Sequence, residues 1–224
     1  MTTPRRWEAR VVALKQLSST GYALVLEREG LDFVPGQLVV LHGRNHFEDR
    51  SYTVCSGIHD EHLTVLFRLI PSGLLTPQLA ALRPGDRIGV SGPYGEFVLR
   101  DPARPVIFFA TGTGVAPFRA YARSFPGIRM TLVHGVRRTE DLFYREEFTV
   151  HDYQPCITLE PEAAEVFHGR VTEWARRERF PANSHFYLCG ANEMIYEMQE
   201  ILAERQVPRD HVFTEAYYYR ADDA

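Results

Sequence analysis

Up to about residue 100, the chain consists of short apolar runs separated by polar turns. The runs are rich in Val, Leu, Tyr and Thr, and the turns contain Gly, Pro, Asp and His, which is typical of β-strands. Six strands are predicted, at WEARVVALKQL, YALVLERE, QLVVLHG, RSYTVCSG, HLTVLFRLI and RIGVSG. One helix is predicted at TPQLAALRPGD, with Thr76 as its N-cap and Pro77 at its first helical position. Strands at this spacing indicate a small antiparallel β-barrel.

From Pro105 onward, apolar runs alternate with segments of helical length. The predicted strands are PVIFFA, RMTLVHGV, CITL, HFYLCG and HVFTEAYY, and the predicted helices are VAPFRAYARSF, DLFYREEF, RVTEWARRE and EMIYEMQEILAERQ. This alternation indicates a parallel sheet built from right-handed crossovers. The polar, Pro-flanked segment RDPARP separates the two patterns. We therefore predict two domains, a β-barrel over residues 1–101 and an α/β domain with a parallel five-stranded sheet over residues 102–224.

Composition is ordinary for a soluble globular protein, with 45% hydrophobic and 24% charged residues in a chain of 224. Gly, Thr and Pro interrupt the longest apolar stretches well short of a membrane span, and no apolar segment follows the first arginines. A cytoplasmic location without membrane attachment is therefore expected. The net charge of −4 argues against nucleic acid as a partner.

Three cysteines, Cys55, Cys156 and Cys189, have separations that fit neither a zinc site nor a disulfide framework. An iron–sulfur cluster held by cysteines normally takes four thiolates, so this chain cannot hold one in that way. His42 and His46 in LHGRNH have no third ligand beside them, and a solvated loop is the favoured interpretation. No metal site is predicted.

The segment ATGTGVAPF lies where the first strand of the second domain gives way to a helix. A dinucleotide pyrophosphate meets free backbone N–H groups at such a position. Gly112 and Gly114 permit a tight turn, although Pro117 stands where a third glycine would complete G-x-G-x-x-G. After the second strand come Arg137 and Arg138, which fit a 2′-phosphate better than a bare hydroxyl. A structural turn and an exposed charged loop are the alternatives.

The motifs RSYT, GLLTP, GPYGEF, GTGVAP and YLCGANEM occur in this order, followed by an aromatic tail. Over about residues 7–218 the chain thereby resembles the bacterial type of the ferredoxin–NADP reductase family, which has an FAD-binding barrel followed by an NAD(P)-binding domain. The resemblance implies a flavoprotein oxidoreductase that transfers hydride between NADPH and flavin N5 and exchanges single electrons with ferredoxin or flavodoxin. NADH is the alternative hydride donor.

In the first domain, the resemblance implies that the RSYT strand and the GLLT segment hold FAD. Arg50 would face the FAD pyrophosphate, Tyr52 the flavin–ribityl region, and Thr53 the flavin N5. Side chains alternate along a strand, so Arg50 and Tyr52 can share one face; a surface arginine on an edge strand is the alternative. Thr76 would open a helix whose positive end faces the pyrophosphate. The implied FAD-binding residues here are Arg50, Ser51, Tyr52, Thr53, Gly73, Leu74, Leu75 and Thr76.

In the second domain, the resemblance implies a nicotinamide dinucleotide site. Arg137 and Arg170 occupy two of three positions where NADPH-using members place arginines, while Leu159 occupies the third. Cys189 would lie beside the nicotinamide ring as a packing group rather than a nucleophile. Tyr144 fits an adenine-side aromatic, with core packing at helical spacing as the alternative. The implied residues are Gly112, Thr113, Gly114, Pro117, Arg137, Arg138, Tyr144, Arg170, Cys189, Gly190 and Met194.

The aromatic tail follows a glutamate, as it does in one bacterial branch of the family. By that resemblance, Tyr217 covers the flavin ring, Tyr218 stacks on the FAD adenine, and Glu215 orients the nicotinamide and supplies a proton. The segment 219–224 extends beyond the family's aromatic ending and receives no role. The implied catalytic residues are Thr53, Cys189, Glu215 and Tyr217.

Two other functions stay open from the sequence. In an NAD(P)H:flavin oxidoreductase, flavin would be a loosely held substrate that is lost on purification. In an electron-transfer subunit of a larger complex, the chain would co-purify with a partner. The ferredoxin or flavodoxin reductase, by contrast, is expected to be a monomer that retains FAD.

Overall fold

The structure is a computed structural model that describes residues 3–45, 48–148, 151–160 and 166–217. It divides into two compact units. Of the described residues, the first unit contains those up to Leu99 together with the segment Ala116–Pro126, and the second contains Arg100–Val115 and those from Gly127 to Tyr217. The limits 1–101 and 102–224 for two domains remain a sequence prediction.

The first unit is an antiparallel barrel, as predicted. Its two edge strands, β4 and β5, meet where Val54 bridges Val65 and the Cys55 N–H donates to the Thr64 carbonyl at 2.8 Å, which nearly closes the sheet. The strand order is β4-β3-β6-β1-β2-β5. The strands are β1 (Arg5–Gln16), β2 (Gly21–Glu27), β3 (Leu38–His42), β4 (Arg50–Thr53), β5 (His62–Arg68) and β6 (Arg87–Tyr94).

The barrel core follows from the two-residue period of its strands. Every second side chain of a strand points to the same face, so alternate apolar positions fill one interior. The interior pairs are Ala9 and Val11, Leu24 and Leu26, Val39 and Leu41, Leu63 and Val65, and Ile88 and Val90.

The helix predicted over TPQLAALRPGD is shorter than expected, because α1 covers only Thr76–Ala80. The prediction that Thr76 is the N-cap is wrong: Leu75 holds that position and Thr76 is the first helical residue. The Thr76 hydroxyl accepts from the Ile70 N–H at 2.9 Å and donates to the Ile70 carbonyl at 3.1 Å. Because both bonds point back into the preceding loop, this hydroxyl closes the loop instead of capping α1.

The second unit contains a parallel sheet, as predicted, with the strand order β10-β9-β8-β7-β11-β12. Its sixth strand, β10, was not predicted; it has two residues, which pair with Cys156 and Ile157. The strands are β7 (Val106–Thr111), β8 (Met130–Val136), β9 (Asp152–Ile157), β10 (Phe167–His168), β11 (His185–Ala191) and β12 (Val212–Tyr217).

Three of the four helices predicted for the second half form over most of their predicted length. They are α2 (Ala116–Ser124), α4 (Val171–Arg177) and α5 (Asn192–Glu204). The fourth prediction, a helix over DLFYREEF, is wrong, because only α3 (Arg145–Phe148) is helical. Tyr144 has φ +61°, outside the right-handed helical region, so the backbone turns at that residue.

Helix α2 packs within the first compact unit, together with the barrel. The Arg119 Nη1 donates to the Cys55 carbonyl at 3.0 Å, and the Tyr121 hydroxyl donates to the Phe97 carbonyl. Both side chains are buried. These bonds fix α2 against the strands and loops of the barrel.

Among the described residues, no helix combines the length and the apolar character that a membrane span requires.

Candidate active site

The order of the parallel strands reverses at β7, which lies between β8 and β11. In open parallel sheets, ligands bind beyond the carboxyl ends of the strands at such a reversal. β7 ends at Thr111 and continues into a single tight turn, Gly112–Val115, while β11 ends at Ala191. The topology therefore places the GTG segment where the sequence predicts a dinucleotide site.

The GTG turn is packed tightly against the end of β11. Gly112 has φ +52°, a conformation that favours glycine. A Cβ atom on Gly114 would collide with the carbonyl oxygen of Cys189. The Ala191 N–H donates to the Thr111 Oγ1 at 2.8 Å, which ties the start of the turn to the same strand. Both glycines are therefore required by the backbone geometry of the turn.

Sequence reasoning missed His134, which contacts the GTG turn from β8. Its Nε2 lies 2.9 Å from the Gly112 carbonyl oxygen, and its Nδ1 lies 3.2 Å from the Tyr153 hydroxyl. The side chain is fully buried, and burial lowers the pKa of His134 to about 4. A single histidine in an apolar strand resembles a core residue, so the sequence carries no signal for this contact.

Cys189, Glu215 and Tyr217 come together where β11 and β12 end. Cys189 is opposite Glu215 in the parallel register, with Sγ 3.9 Å from Oε2, and the Tyr217 hydroxyl hydrogen-bonds the sulfur. Burial, followed by the Glu215 charge, raises the pKa of the Cys189 thiol well above its usual value. The thiol therefore stays protonated, which suits a packing group and not a nucleophile. Tyr218 and the segment 219–224 lie outside the described residues.

The predicted 2′-phosphate residues lie after the carboxyl ends of β8 and β9. The Leu159 N–H donates to the Arg137 carbonyl at 3.0 Å, so these two positions are neighbours. The Arg137 side chain is exposed, and Leu159 is 55% exposed. Arg170 is exposed at the N-cap of α4, after the short strand β10.

Arg138 faces an acid that sequence reasoning left without a role. Its Nη1 lies 3.9 Å from Oε1 of Glu160, a weak contact between partly exposed groups. The Glu160 carboxylate accepts from the Thr139 N–H at 2.9 Å and from the Thr139 hydroxyl. Hydrogen bonds from Thr139 lower the pKa of Glu160, which keeps it ionised.

Two predicted dinucleotide residues have clear packing roles. Met194 is 6% exposed and belongs to the hydrophobic core around α5, and Pro117 is buried in the first turn of α2. Tyr144 is not at helical spacing, because its positive φ breaks the segment before α3. Binding of a dinucleotide by these three residues remains a prediction.

On the barrel, strand β4 presents Arg50 and Tyr52 on one face. In the antiparallel register, Arg50 is opposite Leu41 and Tyr52 is opposite Val39, two residues that share the interior face. The Arg50 side chain is exposed, and its Nη1 donates to the Asp49 carbonyl at 2.8 Å. The Tyr52 ring is half-buried and meets another aromatic ring of the barrel edge-on at 6.4 Å.

The GLLT segment forms a compact loop before α1. The Gly73 N–H donates to the Ile70 carbonyl at 2.9 Å, and a Cβ on Gly73 would lie 3.1 Å from that oxygen and 3.3 Å from the Thr76 Oγ1. Any side chain at position 73 would therefore crowd Ile70 and Thr76. An exposed guanidinium suits a pyrophosphate and a half-buried tyrosine ring suits a flat ring system, so these residues of the barrel fit FAD.

The prediction of a solvated loop at LHGRNH is wrong for His42, which is the last residue of β3. Its Nδ1 lies 2.7 Å from Asp49 Oδ2, and its Nε2 lies 3.0 Å from Ser91 Oγ. The His42 side chain is 11% exposed and holds the loop that precedes β4. His46 lies outside the described residues.

Comparisons with known proteins identify both halves of the chain. Residues 11–99 match the oxidoreductase FAD-binding domain, and residues 108–200 match the oxidoreductase NAD-binding domain. The two matches define an FAD- and NAD-binding oxidoreductase. The chain belongs to the ferredoxin–NADP reductase-like family, and the fold and family implied by its motifs are thereby confirmed.

Several similar proteins are components of oxygenase systems. The chain is 27% identical over 227 residues to the toluate 1,2-dioxygenase electron transfer component of Pseudomonas putida, covering 94% of this chain and 67% of the relative. It is 31% identical over 207 residues to the propane 2-monooxygenase reductase component of Mycolicibacterium goodii, covering 83% of this chain and 59% of the relative. The chain thus spans about two thirds or less of the length of these relatives.

The fold also matches a solved structure of nearly the same length. A ferredoxin NADP+ reductase from Neisseria gonorrhoeae with bound FAD and NADP superposes with a TM-score of 0.82. The two sequences are 19% identical, and the match covers 95% of this chain and 99% of that one.

Proposed function

We propose that this protein is an FAD-dependent reductase that takes hydride from NADPH and passes single electrons to ferredoxin or flavodoxin. The observation that carries the proposal is the convergence of Cys189, Glu215 and Tyr217 beside the GTG turn, at the strand-order reversal of a nicotinamide-binding sheet. The partly exposed Glu215 carboxylate and Tyr217 ring, above the buried and protonated Cys189 thiol, are suited to a flat nicotinamide.

FAD, when bound, supplies an acceptor for hydride at N5 and a donor of electrons one at a time. The barrel would hold FAD through a charged side chain and through the fit of a ring and a tight loop. Arg50 would offer a bidentate cation to the pyrophosphate and Tyr52 a ring for the flavin–ribityl region, while Gly73 lets the GLLT loop close tightly beside them. Thr53 is 3% exposed at the end of β4, where its hydroxyl and backbone would orient the reactive edge of the flavin.

The chain's contribution to hydride transfer is alignment. Reacting atoms must be held about 3–3.5 Å apart, and no general acid is required for the hydride step itself. Cys189 is fully buried at the end of β11, and its small, uncharged thiol would pack beneath the ring that binds there. Glu215 is half-buried on the neighbouring strand, where its carboxylate would orient the nicotinamide amide and accept or return a proton.

NADPH is proposed as the donor because Arg137 and Arg170 are exposed cations after β8 and β10. Guanidinium groups bind a phosphate bidentately, which suits the 2′-phosphate. Leu159 and Glu160 oppose this preference, since one supplies no cation and the other is an ionised acid held by Thr139. NADH would be the hydride donor instead of NADPH if the Glu160 carboxylate accepted a hydrogen bond from the ribose 2′-hydroxyl.

A second candidate is the reductase component of an oxygenase system. It is favoured by the two relatives described above, which are components of dioxygenase and monooxygenase systems. In that case the electron acceptor would be an oxygenase partner, and turnover of the isolated chain would be slow. A monomeric state and a cytoplasmic location remain predictions in both cases.

The decisive experiment is anaerobic stopped-flow reduction of the purified yellow protein by NADPH and by NADH. Rapid bleaching near 450 nm by NADPH is expected, and bleaching by neither nucleotide would refute the reductase function. Retention of FAD through gel filtration distinguishes the reductase from an NAD(P)H:flavin oxidoreductase. The latter would elute without bound flavin and would reduce free FMN. Subsequent addition of ferredoxin, flavodoxin or an oxygenase component identifies which acceptor reoxidises the flavin fastest.

A further inference from the structure

His134 connects the GTG turn to the interior of the α/β unit. Its Nε2 is 2.9 Å from the Gly112 carbonyl oxygen, which can only accept a hydrogen bond. The Nε2 therefore carries the hydrogen. Because burial lowers the pKa of His134 to about 4, the ring is neutral near pH 7 and its Nδ1 is an acceptor. The Tyr153 hydroxyl, 3.2 Å from Nδ1, is the donor to it.

Tyr153 is itself held in place. Its ring stacks on Phe148 with centroids 5.6 Å apart and planes inclined by 21°. Burial raises the pKa of Tyr153, so the hydroxyl keeps the proton that it donates. A chain of hydrogen bonds thus runs from β9 through His134 on β8 to the first residue of the turn, and it permits only one tautomer of the imidazole.

The direction of the Gly112 carbonyl determines the direction of the next N–H group. The two belong to one planar trans peptide, in which C=O and N–H point in opposite directions. With the carbonyl of Gly112 directed at His134, the N–H of Thr113 is directed away from the imidazole. Gly112 has the wide backbone freedom of a glycine, and the hydrogen bond to His134 favours this orientation among those that its backbone permits.

We propose that His134 is a positioning residue for the nicotinamide dinucleotide, which fixes the Gly112–Thr113 peptide and with it the backbone of the GTG turn that receives the pyrophosphate. Tyr153 supports it by selecting the tautomer. The inference rests on the proposed function, in which the GTG turn binds the dinucleotide. His134 itself touches neither nucleotide nor flavin in this scheme, and it acts through the backbone.

Three variants test the proposal in the FAD-loaded protein. His134→Phe keeps a planar ring and removes the donor, His134→Gln restores an N–H donor, and Tyr153→Phe removes only the supporting hydroxyl. Calorimetric titration with NADP+ and with NAD+ measures binding without turnover. Stopped-flow reduction by NADPH and NADH separates the apparent dissociation constant from the limiting rate.

We expect His134→Phe to raise the dissociation constants of NADP+ and NAD+ by the same factor, about five- to fiftyfold, because the pyrophosphate is common to both. FAD content and the limiting rate of reduction should change less than about twofold, since only binding interactions shared by ground and transition states are lost. His134→Gln should recover most of the affinity. The dissociation constants of Tyr153→Phe should lie between those of His134→Gln and those of wild type.

Unchanged dissociation constants in His134→Phe would overturn the inference, as would a glutamine variant as weak as the phenylalanine variant. If His134→Phe does not fold, His134→Leu takes its place as the variant without a donor, and dissociation constants equal to those of wild type in His134→Leu overturn the role of the hydrogen-bond chain. A wild-type protein that binds neither nucleotide refutes the proposed function itself. A binding wild type with unaffected variants refutes only the role of His134.

Discussion

Arg123 on α2 and Asp60 in the barrel form a bidentate ion pair. The Arg123 Nε lies 2.7 Å from Asp60 Oδ2, and its Nη2 lies 2.7 Å from Oδ1. Asp60 Oδ2 also accepts from the Gly57 N–H at 2.8 Å. Burial opposes ionisation of Asp60, but the hydrogen bonds from Arg123 and Gly57 prevail and lower the pKa of the carboxyl. Among the contacts of α2 described above, we expect this ion pair to weaken first as the pH falls, because protonation of Asp60 removes its charge.

Asp60→Asn should lower the free energy of unfolding by about 1–2 kcal/mol, a value reduced for partial exposure to solvent. Because the folded pKa of Asp60 is lowered, its stabilisation is complete above the unfolded value of 3.8 and is lost as pH falls further. Urea titrations at pH 7 and pH 3 measure both effects. The matched control is Asp32→Asn, whose carboxylate is 88% exposed and 4.0 Å from Arg28. A control as destabilised as Asp60→Asn would contradict the prediction.

The cysteines should be unreactive in the folded protein. Cys55, Cys156 and Cys189 are buried. Burial, with a smaller contribution from the charge of Glu173, raises the pKa of Cys156 to about 12, and burial and Glu215 raise that of Cys189. Since the thiolate is the reactive species, Ellman's reagent at pH 8 should modify fewer than one thiol per chain within minutes.

In denaturant, the same reagent should find all three thiols of the sequence. Peptide mass mapping after a short iodoacetamide treatment identifies any thiol that reacts early. Rapid labelling of Cys189 in the folded protein would contradict its assignment as a protonated packing group. It would also make a nucleophilic role for this residue worth testing.

The pH dependence of stability should carry a contribution from His134. Its folded pKa of about 4 lies below the unfolded value of 6.5, so the unfolded chain takes up a proton first as the solution is acidified. The stabilisation is fully present above about pH 6.5 and is lost as pH falls towards 4, in total about 3 kcal/mol. Below the folded pKa, no further loss comes from this residue.

The measurement is the difference between the unfolding curves of wild type and His134→Gln at half-unit steps from pH 4 to pH 7. Groups common to both proteins cancel, and glutamine does not titrate. The variant should be less stable at pH 7, and the gap should narrow as pH falls. A gap of constant size would show that His134 keeps an ordinary pKa in the folded protein.

The barrel and the parallel sheet were predictable because apolar residues recur at regular intervals in the sequence. In the barrel, Val39 and Leu41 alternate with outward residues, and in the sheet, apolar runs such as PVIFFA alternate with helices. β10 was not predictable, since two residues carry no period. The helix over DLFYREEF failed for a different reason: Leu142 and Phe143 are buried without being helical, and apolar spacing alone cannot reveal the positive φ of Tyr144.

The candidate site residues divide in the same way, into those that a sequence pattern marks and those that no local pattern marks. Gly112, Gly114 and Cys189 could be proposed because turn chemistry and motif order mark them in sequence, and their binding roles remain predictions. His134 and Glu160 were missed because their importance depends on contacts with other strands and loops. The carbonyl of Gly112 and the side chain of Thr139 are close only in the folded chain. Such contacts between distant segments leave no local pattern.

The nucleotide preference should respond to the residue at position 159. Leu159 is 55% exposed and adjoins Arg137, so Leu159→Arg adds a cation beside the proposed 2′-phosphate position without disturbing a core. A charge-assisted hydrogen bond contributes about 1.5–3 kcal/mol, so the ratio of kcat/KM for NADPH to that for NADH should rise about tenfold or more. The matched control is Tyr196→Arg on α5, which is 63% exposed and adds the same charge elsewhere on the surface. A ratio that rises equally in both variants would indicate general electrostatic attraction, whereas an increase only in Leu159→Arg would locate the 2′-phosphate beside Arg137.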